Sequence, residues 1–257
     1  MRMFCFDYDN TVFSHTQHRI PPRTLEAMHA LKGSENIVVM STGRDLYDPA
    51  TLAYARQINA DAIVHCNGLK ITIGDDIFYE HYFDRELMER ALEYADKTGA
   101  VLGCVTPKAL YFTNDEALRR PDYEYGLGRE FRPFRELYGM KVNVMHYLGP
   151  EEKIRAVANA CPGICYYMFA GASGADVLDV DASKADGIER LLAHYGMTWE
   201  DVVAFGDSTN DIEMLRRAGV GIAMGNASDE VKAVADQVTG DIEQDGVADA
   251  IETYLRA

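Results

Sequence analysis

Short, nearly all-apolar runs alternate with amphipathic stretches at both ends of the chain. The runs Met3 to Phe6, Ile37 to Met40, Ala62 to His65, Val202 to Phe205 and Val220 to Ala223 have few polar positions, as strands buried on two faces do. The segments between them space their apolar residues as helices do. Helices are predicted over Arg23 to Leu31, Leu46 to Ile58, Ala185 to Tyr195, Asp211 to Ala218, Asp229 to Ala235 and Val247 to Leu255. Pro21 and Pro22 precede the first, Ser183 can cap the third, and Gly196 and Gly219 stand where two helices should end. Strand and helix in alternation predict an α/β protein with a doubly wound parallel sheet covered on both faces.

The middle of the chain breaks this rhythm. From Tyr82 to Asp181 it is rich in Tyr, Arg and Glu, with one clear helix, Arg85 to Lys97. Strand-like pieces follow at Val101 to Val105, Ala109 to Phe112, Lys141 to Met145, Tyr166 to Phe169 and Val177 to Val180. This predicts an α+β domain, residues 82–181, inserted into a discontinuous core domain of residues 1–81 and 182–257. Repeats and low-complexity tracts are absent, so the insertion is expected to move on short hinges.

Composition narrows the function. The 257 residues are 47% hydrophobic and 26% charged, with a formal net charge of -16. Such a field repels nucleic-acid phosphates, so no nucleic-acid partner is expected. It also repels a phosphorylated metabolite, so a site for one needs local cations or concentrated donors. The five cysteines are odd in number, widely spaced and without a zinc-ligand pattern, which predicts reduced, mostly buried thiols. No apolar run approaches the roughly 18 residues of a membrane span, and a cytoplasmic enzyme is expected. No oligomeric state follows from the pattern.

In an open parallel sheet, ligands gather at the carboxyl ends of the strands, where loops converge and helix amino termini point inward. Four predicted strands lead into Asp7-Tyr8-Asp9-Asn10-Thr11, Ser41-Thr42-Gly43-Arg44, Asn67-Gly68 and Gly206-Asp207-Ser208-Thr209-Asn210-Asp211. Asp7 and Asp9 share a face if the first strand runs through both, and Asp207 arrives from a neighbour. Carboxylates about 4 Å apart repel by as much as about 4 kcal/mol at an effective dielectric near 20, so the cluster needs a cation or a proton. Hard oxygen ligands of this kind suit Mg²⁺. Lys184 stands just ahead of a helix.

Blander explanations fail in combination. Alone, an Asp-x-Asp after a strand is more often a turn or a helix cap. Asp7 to His18 and Asp179 to Arg190 lack the Gly and Glu of a calcium loop. AGVGIAMG, residues 218–225, follows a helix and lacks dinucleotide-loop spacing. There is no GxxxxGK[ST] phosphate loop.

Together these residues resemble the haloacid dehalogenase superfamily, and within it the Cof-type phosphatases with a C2 cap. FDYDNTV resembles the first motif, VVMSTGR the second, SKADG the third and GDSTNDIEML the fourth, and the tail from AGVGIAMGN to GVADAI is also similar. The likeness covers nearly all of residues 1–75 and 183–257; the middle matches in size and position. Asn10, Ser208 and Ala185 stand where Gly is common in the family, and none removes a functional group.

The resemblance implies a Rossmann-like core, an inserted cap, and a Mg²⁺-dependent phosphatase acting on small phosphorylated metabolites such as sugar phosphates or phosphorylated cofactors. It implies that Asp7 attacks phosphorus and becomes an aspartyl-phosphate. The metal is then held by Asp7, the Asp9 carbonyl and Asp207. Asp9 protonates the leaving oxygen and later takes a proton from water, which requires it to be protonated first. Thr42, Gly43, Lys184 and Asn210 bind the phosphate. Asp211 either meets the metal through water or holds Lys184, and Arg44 either reaches substrate or pairs with a carboxylate. The alternatives are a phosphomutase, which passes the phosphoryl group to a second hydroxyl, and a sensor that binds a phosphorylated ligand without turnover.

In the insertion, Arg119, Arg120, Arg129, Arg132, Arg135 and Lys141 interleave with aromatics but are balanced by Asp115, Glu116, Asp122, Glu124, Glu130 and Glu136. A neutral mixed surface is expected, with one or two of the arginines facing an anionic substrate group.

Overall fold

The structure is a computed structural model and describes residues 1–45, 49–114, 118, 129–169, 173–180 and 182–256. In chain order it forms β1 (Met3–Asp7), α1 (Pro22–Lys32), β2 (Ile37–Ser41), α2 (Pro49–Ile58), β3 (Ala62–His65), β4 (Lys70–Ile73) and β5 (Asp76–Glu80). Then come α3 (Arg85–Thr98), β6 (Val101–Val105), β7 (Ala109–Phe112), β8 (Glu130–Pro133), β9 (Met145–Leu148), α4 (Glu151–Ala160), β10 (Cys165–Met168) and β11 (Gly174–Leu178). The chain closes with α5 (Lys184–Tyr195), β12 (Val202–Gly206), α6 (Ile212–Arg217), β13 (Val220–Ala223), α7 (Asp229–Lys232), β14 (Gln237–Val238) and α8 (Gly246–Arg256). Two compact units result, Met1–Glu80 with Ala182–Ala257, and His81–Asp181.

The first unit is built on a sheet of order β14-β13-β12-β1-β2-β3-β4-β5. Strands from β14 to β3 are parallel, and β1, β2 and β12 are buried at every position. Helices lie on both faces. On one, Phe4 of β1 meets Tyr254 of α8 edge to face, ring centroids 4.9 Å apart. On the other, α5 lies against β3 so closely that a Cβ on Gly187 would stand 2.3 Å from Val64 Cγ1. Asp7 and Ser41 are register partners, as are Ser41 and Val64, so Asp7 faces α5. A capping box between Ser183 and Asp186 starts α5, which fixes its first residue, Lys184.

The expected parallel sheet is extended by an antiparallel hairpin, β4 and β5. Buried Ile71 alternates with Lys70 and Thr72 there, and Gly74 turns with φ +58°. The expected helix from Asp211 is instead a 3₁₀ turn, Thr209–Asp211, followed by α6. That from Asp229 ends at Lys232, and the predicted start at Leu46 lies outside the described residues.

The second unit has a sheet of order β10-β11-β9-β6-β7-β8, antiparallel except for β7 with β8. Leu102, Met145, Tyr147, Ala175 and Val177 share a core with Leu87, Met88 and Ala91 of α3 and Ile154 and Val157 of α4. The strand expected from Lys141 begins at Met145, because the preceding residues bond to the start of the unit. Phe83 N donates to Val142 O at 2.7 Å and Asn143 Nδ2 to His81 O at 2.7 Å. Asp179 also ties down that start, accepting from His81 Nε2 at 2.9 Å and Asp84 N at 2.5 Å. Arg119 and Arg120 lie outside the described residues; Arg132 pairs with Glu130 and Glu136, and Arg135 with Glu93 and Asp96. None of the five cysteines forms a disulfide among the described residues; Cys5, Cys66, Cys104 and Cys161 are buried and Cys165 is half-buried. Burial pushes the Cys5 thiol far up. Among the described residues no helix is long and apolar enough to cross a membrane.

Candidate active site

At the carboxyl edge of the first sheet, β1 ends at Asp7 and β12 at Gly206, so Asp7 and Asp207 leave adjacent strands together. Ligand oxygens of Asp7, Asp207 and Asp211 all lie within 4.8 Å of one another, and all three residues are buried. One ammonium meets them. Lys184 Nζ donates to Asp7 Oδ1 at 2.5 Å and to Asp211 Oδ1 at 2.6 Å. Asp211 Oδ2 accepts from the amides of Asp207 and Ser208, at 3.1 and 3.0 Å. Both of its oxygens are therefore engaged by protein donors, and the carboxylate fixes Lys184 and the β12 loop at once. Thr11 Oγ1 donates to Asp207 Oδ1 at 3.2 Å.

The electrostatics follow from that count. Burial is the chief cause that pushes Asp7 well above the usual carboxylate range, with Lys184 opposing and Asp211, Asp207 and Asp9 adding to the rise. Burial and Asp211 push Asp207 up to about 7. Burial alone would lower Lys184, but Asp211 and Asp7 outweigh it and raise it. Three carboxylates against one ammonium leave a buried excess of negative charge, which a divalent cation on hard oxygen ligands would relieve. The donor set fits Mg²⁺.

The strand that would put Asp9 on one face with Asp7 stops at Asp7. The chain turns after β1, with Asn10 at φ +57°, and Val12 N and Phe13 N both donate to Tyr8 O. Asn tolerates this left-handed backbone better than most residues, so it can replace the glycine common there. The Asp9 carboxylate turns to the rim, accepting from His15 Nε2 at 2.7 Å and Arg44 Nε at 2.8 Å. Burial alone would raise its pKa, but His15 and Arg44 outweigh that and hold it below the usual range. Arg44 thus spends its Nε on a carboxylate of the site.

The β2 loop brings Thr42, fully buried, and half-buried Gly43. The Thr42 hydroxyl accepts from Arg44 N at 3.1 Å. Half-buried Asn210 donates from Nδ2 to Asn67 Oδ1 at 3.0 Å. The sequence reading missed Thr11, His15 and Asn67 as parts of the site. Thr11 belongs to the first motif and was there to be found. Asn67 stands in a polar strand end, whereas nothing marks His15.

With this arrangement described, the likeness to known proteins is specific. The chain matches the haloacid dehalogenase-like hydrolases over residues 4–251 and belongs to that family. It is 29% identical to an HMP-PP phosphatase of Yersinia enterocolitica, covering 99% of this chain and 95% of that one. It is 26% identical to the 5-amino-6-(5-phospho-D-ribitylamino)uracil phosphatase YitU of Bacillus subtilis, covering 98% and 97%. The fold superposes on a solved HAD subclass IIB sugar phosphatase with a TM-score of 0.87 at 28% identity, over 99% of both chains. The protein is a phosphoric monoester hydrolase.

Proposed function

We propose that the protein is a Mg²⁺-dependent phosphatase of small phosphorylated metabolites that works through an aspartyl-phosphate on Asp7. The observation that carries this reading is the buried group of Asp7, Asp207 and Asp211 around the single ammonium of Lys184. The substrate class follows the relatives, whose names include a sugar phosphatase and a phosphoribitylaminouracil phosphatase.

Asp7 attacks phosphorus, forming one P–O bond while the bond to the leaving oxygen breaks. Water then attacks the same phosphorus, and the Asp7 carboxylate departs as inorganic phosphate forms. Splitting the displacement in two replaces one very slow step with two easier ones. Lys184, on Asp7 Oδ1 at 2.5 Å, fixes the rotation of the nucleophile, and Asp211 in turn fixes Lys184. Mg²⁺, held by the Asp7 and Asp207 carboxylates and the Asp9 carbonyl, would supply positive charge for the phosphoryl oxygens. Thr42, the Gly43 amide, Lys184 and Asn210 are the donors placed around those oxygens before reaction.

Asp9 handles the protons. Clamped by His15 and Arg44 it is an anion, suited to taking a proton from the attacking water. To protonate the leaving oxygen it must first receive one, and the imidazole of His15, 2.7 Å away, is a group that can supply it when charged. Residues 82–181 are, in this reading, the inserted cap domain.

A panel of sugar phosphates and phosphorylated cofactors, assayed for inorganic phosphate with Mg²⁺ and with chelator, tests the reading. Phosphate release that requires Mg²⁺ is expected. Transfer to a second hydroxyl without release, or turnover unchanged by chelation, would overturn it.

A further inference from the structure

After β3 the chain makes a turn that few sequences would adopt unaided. Cys66, Asn67 and Gly68 stand at φ +50°, +52° and +97°, three left-handed residues in succession. Asn takes this conformation more readily than most side chains, whereas Cys does not, so the surroundings must hold the turn in place. Those surroundings are two loops of the site. Cys66 N donates to Arg44 O at 3.1 Å and Asn67 N to Thr42 O at 3.0 Å. A Cβ on Gly68 would stand 2.3 Å from Ser183 O, so the turn also presses on the residue that caps α5, next to Lys184. The Asn67 side chain, 1% exposed, reaches a third loop, 143 residues away in sequence, where its Oδ1 accepts from Asn210 Nδ2 at 3.0 Å.

We propose that Asn67 is a positioning residue for phosphate binding, holding the Asn210 carboxamide so that an N–H and not its oxygen meets the anion. This rests on the reading of Asn210 as a phosphate donor. A carboxamide rotated by half a turn offers an acceptor where a donor is needed, and a half-buried Asn on a 3₁₀ turn has little else to choose between the two orientations. Spending one N–H on Asn67 makes the choice. The same turn joins, through Asn67, the loop of Thr42 and Gly43 and the loop of Asn210, and, through Gly68, the start of α5, so the donors proposed for the phosphate are set relative to one another by one turn. A turn needed only for its shape could be made with glycine at position 67; the amide is what reaches Asn210.

The test is a double-mutant cycle on the full chain with Mg²⁺, read both as the affinity for inorganic phosphate by calorimetry and as kcat/KM. Asn67→Gly keeps the left-handed backbone and removes the amide. It is expected to weaken phosphate binding about tenfold, as loss of one hydrogen bond to an anion does, with Tm nearly unchanged. Asn210→Ala is expected to weaken it by a similar factor, and the double variant to be no worse than Asn210→Ala. Asn67→Asp retains an acceptor at the same reach, so in that background Asn210→Ala should still cost its full factor; this arm also serves if the glycine variant does not fold. Independent, multiplying losses from Asn67→Gly and Asn210→Ala overturn the inference while leaving Asn210 a donor. Unchanged phosphate affinity in Asn210→Ala removes the donor reading and the inference with it.

Discussion

The pit that holds Asp7 and the rim that holds Asp9 lie one residue apart in the chain and treat a carboxyl group in opposite ways. In the pit, Asp7 shares one ammonium with Asp211 and sits beside Asp207, and burial raises its pKa. On the rim, Asp9 has His15 on one oxygen and Arg44 on the other, and its pKa falls. The pit has too little positive charge and the rim has enough. The chain builds the two environments by ending β1 between them: Asp7 is the last strand residue, facing α5, and Asn10 turns the following segment away. The carboxylates in the pit share the ammonium of Lys184, while the one on the rim is already paired with His15 and Arg44.

Substitutions should separate the two environments. The largest effect is expected from Asp7→Asn, which removes the proposed nucleophile and should lower phosphate release by about 10⁴-fold or more. Its Tm should hold or rise, because a neutral amide replaces a buried charge. An activity comparable to wild type would refute the assignment of Asp7. Next is Asp9→Asn, expected to cost about 10² to 10⁴-fold on alkyl phosphates, the range of general acid–base catalysis, and much less on an aryl phosphate whose leaving group needs no proton. Equal losses on the two substrate types would place Asp9 outside proton transfer.

The smallest effect is on stability. In chelator, Asp207 has a folded-state pKa of about 7 against an ordinary value of 3.8. A raised carboxyl favours the fold below its unfolded pKa and loses that contribution as pH rises through the folded value. Asp207→Asn does not titrate, so its Tm should gain on that of wild type as pH rises from about 4 to about 7, and Mg²⁺ should shrink the gain by stabilising wild type. A Tm difference that stays flat across this window would mean that Asp207 is already ionised in the metal-free fold.

The parallel strands were legible because burial on both faces leaves almost no polar position in β1, β2 or β12, and a run like FCFD or VVAFG has few alternatives. The hairpin β4 and β5 was not, since Lys70 and Thr72 break the apolar run although both are buried. In the second unit Pro150, Glu151 and Glu152 mark the start of α4, but its buried residues are Ile154 and Val157 alone, too few to show a helical period. The pit was visible as acidic strand ends, which topology brings together. Arg44 was already a candidate to pair with a carboxylate, but the other partners were hidden, because His15 lies in an irregular loop and Asn67 meets Asn210 only after the sheet has formed.

Two of the thiols have a practical consequence. Cys5 sits in the central strand two residues before Asp7, with no solvent exposure, whereas half-buried Cys165 lies on β10 of the other unit. An alkylating reagent can reach the first sulfur only when the parallel sheet comes apart, and the second after a far smaller fluctuation. Cys5 and Cys165 are therefore built-in chemical reporters, one drawn from each unit, whose modification rates would reveal which unit opens first.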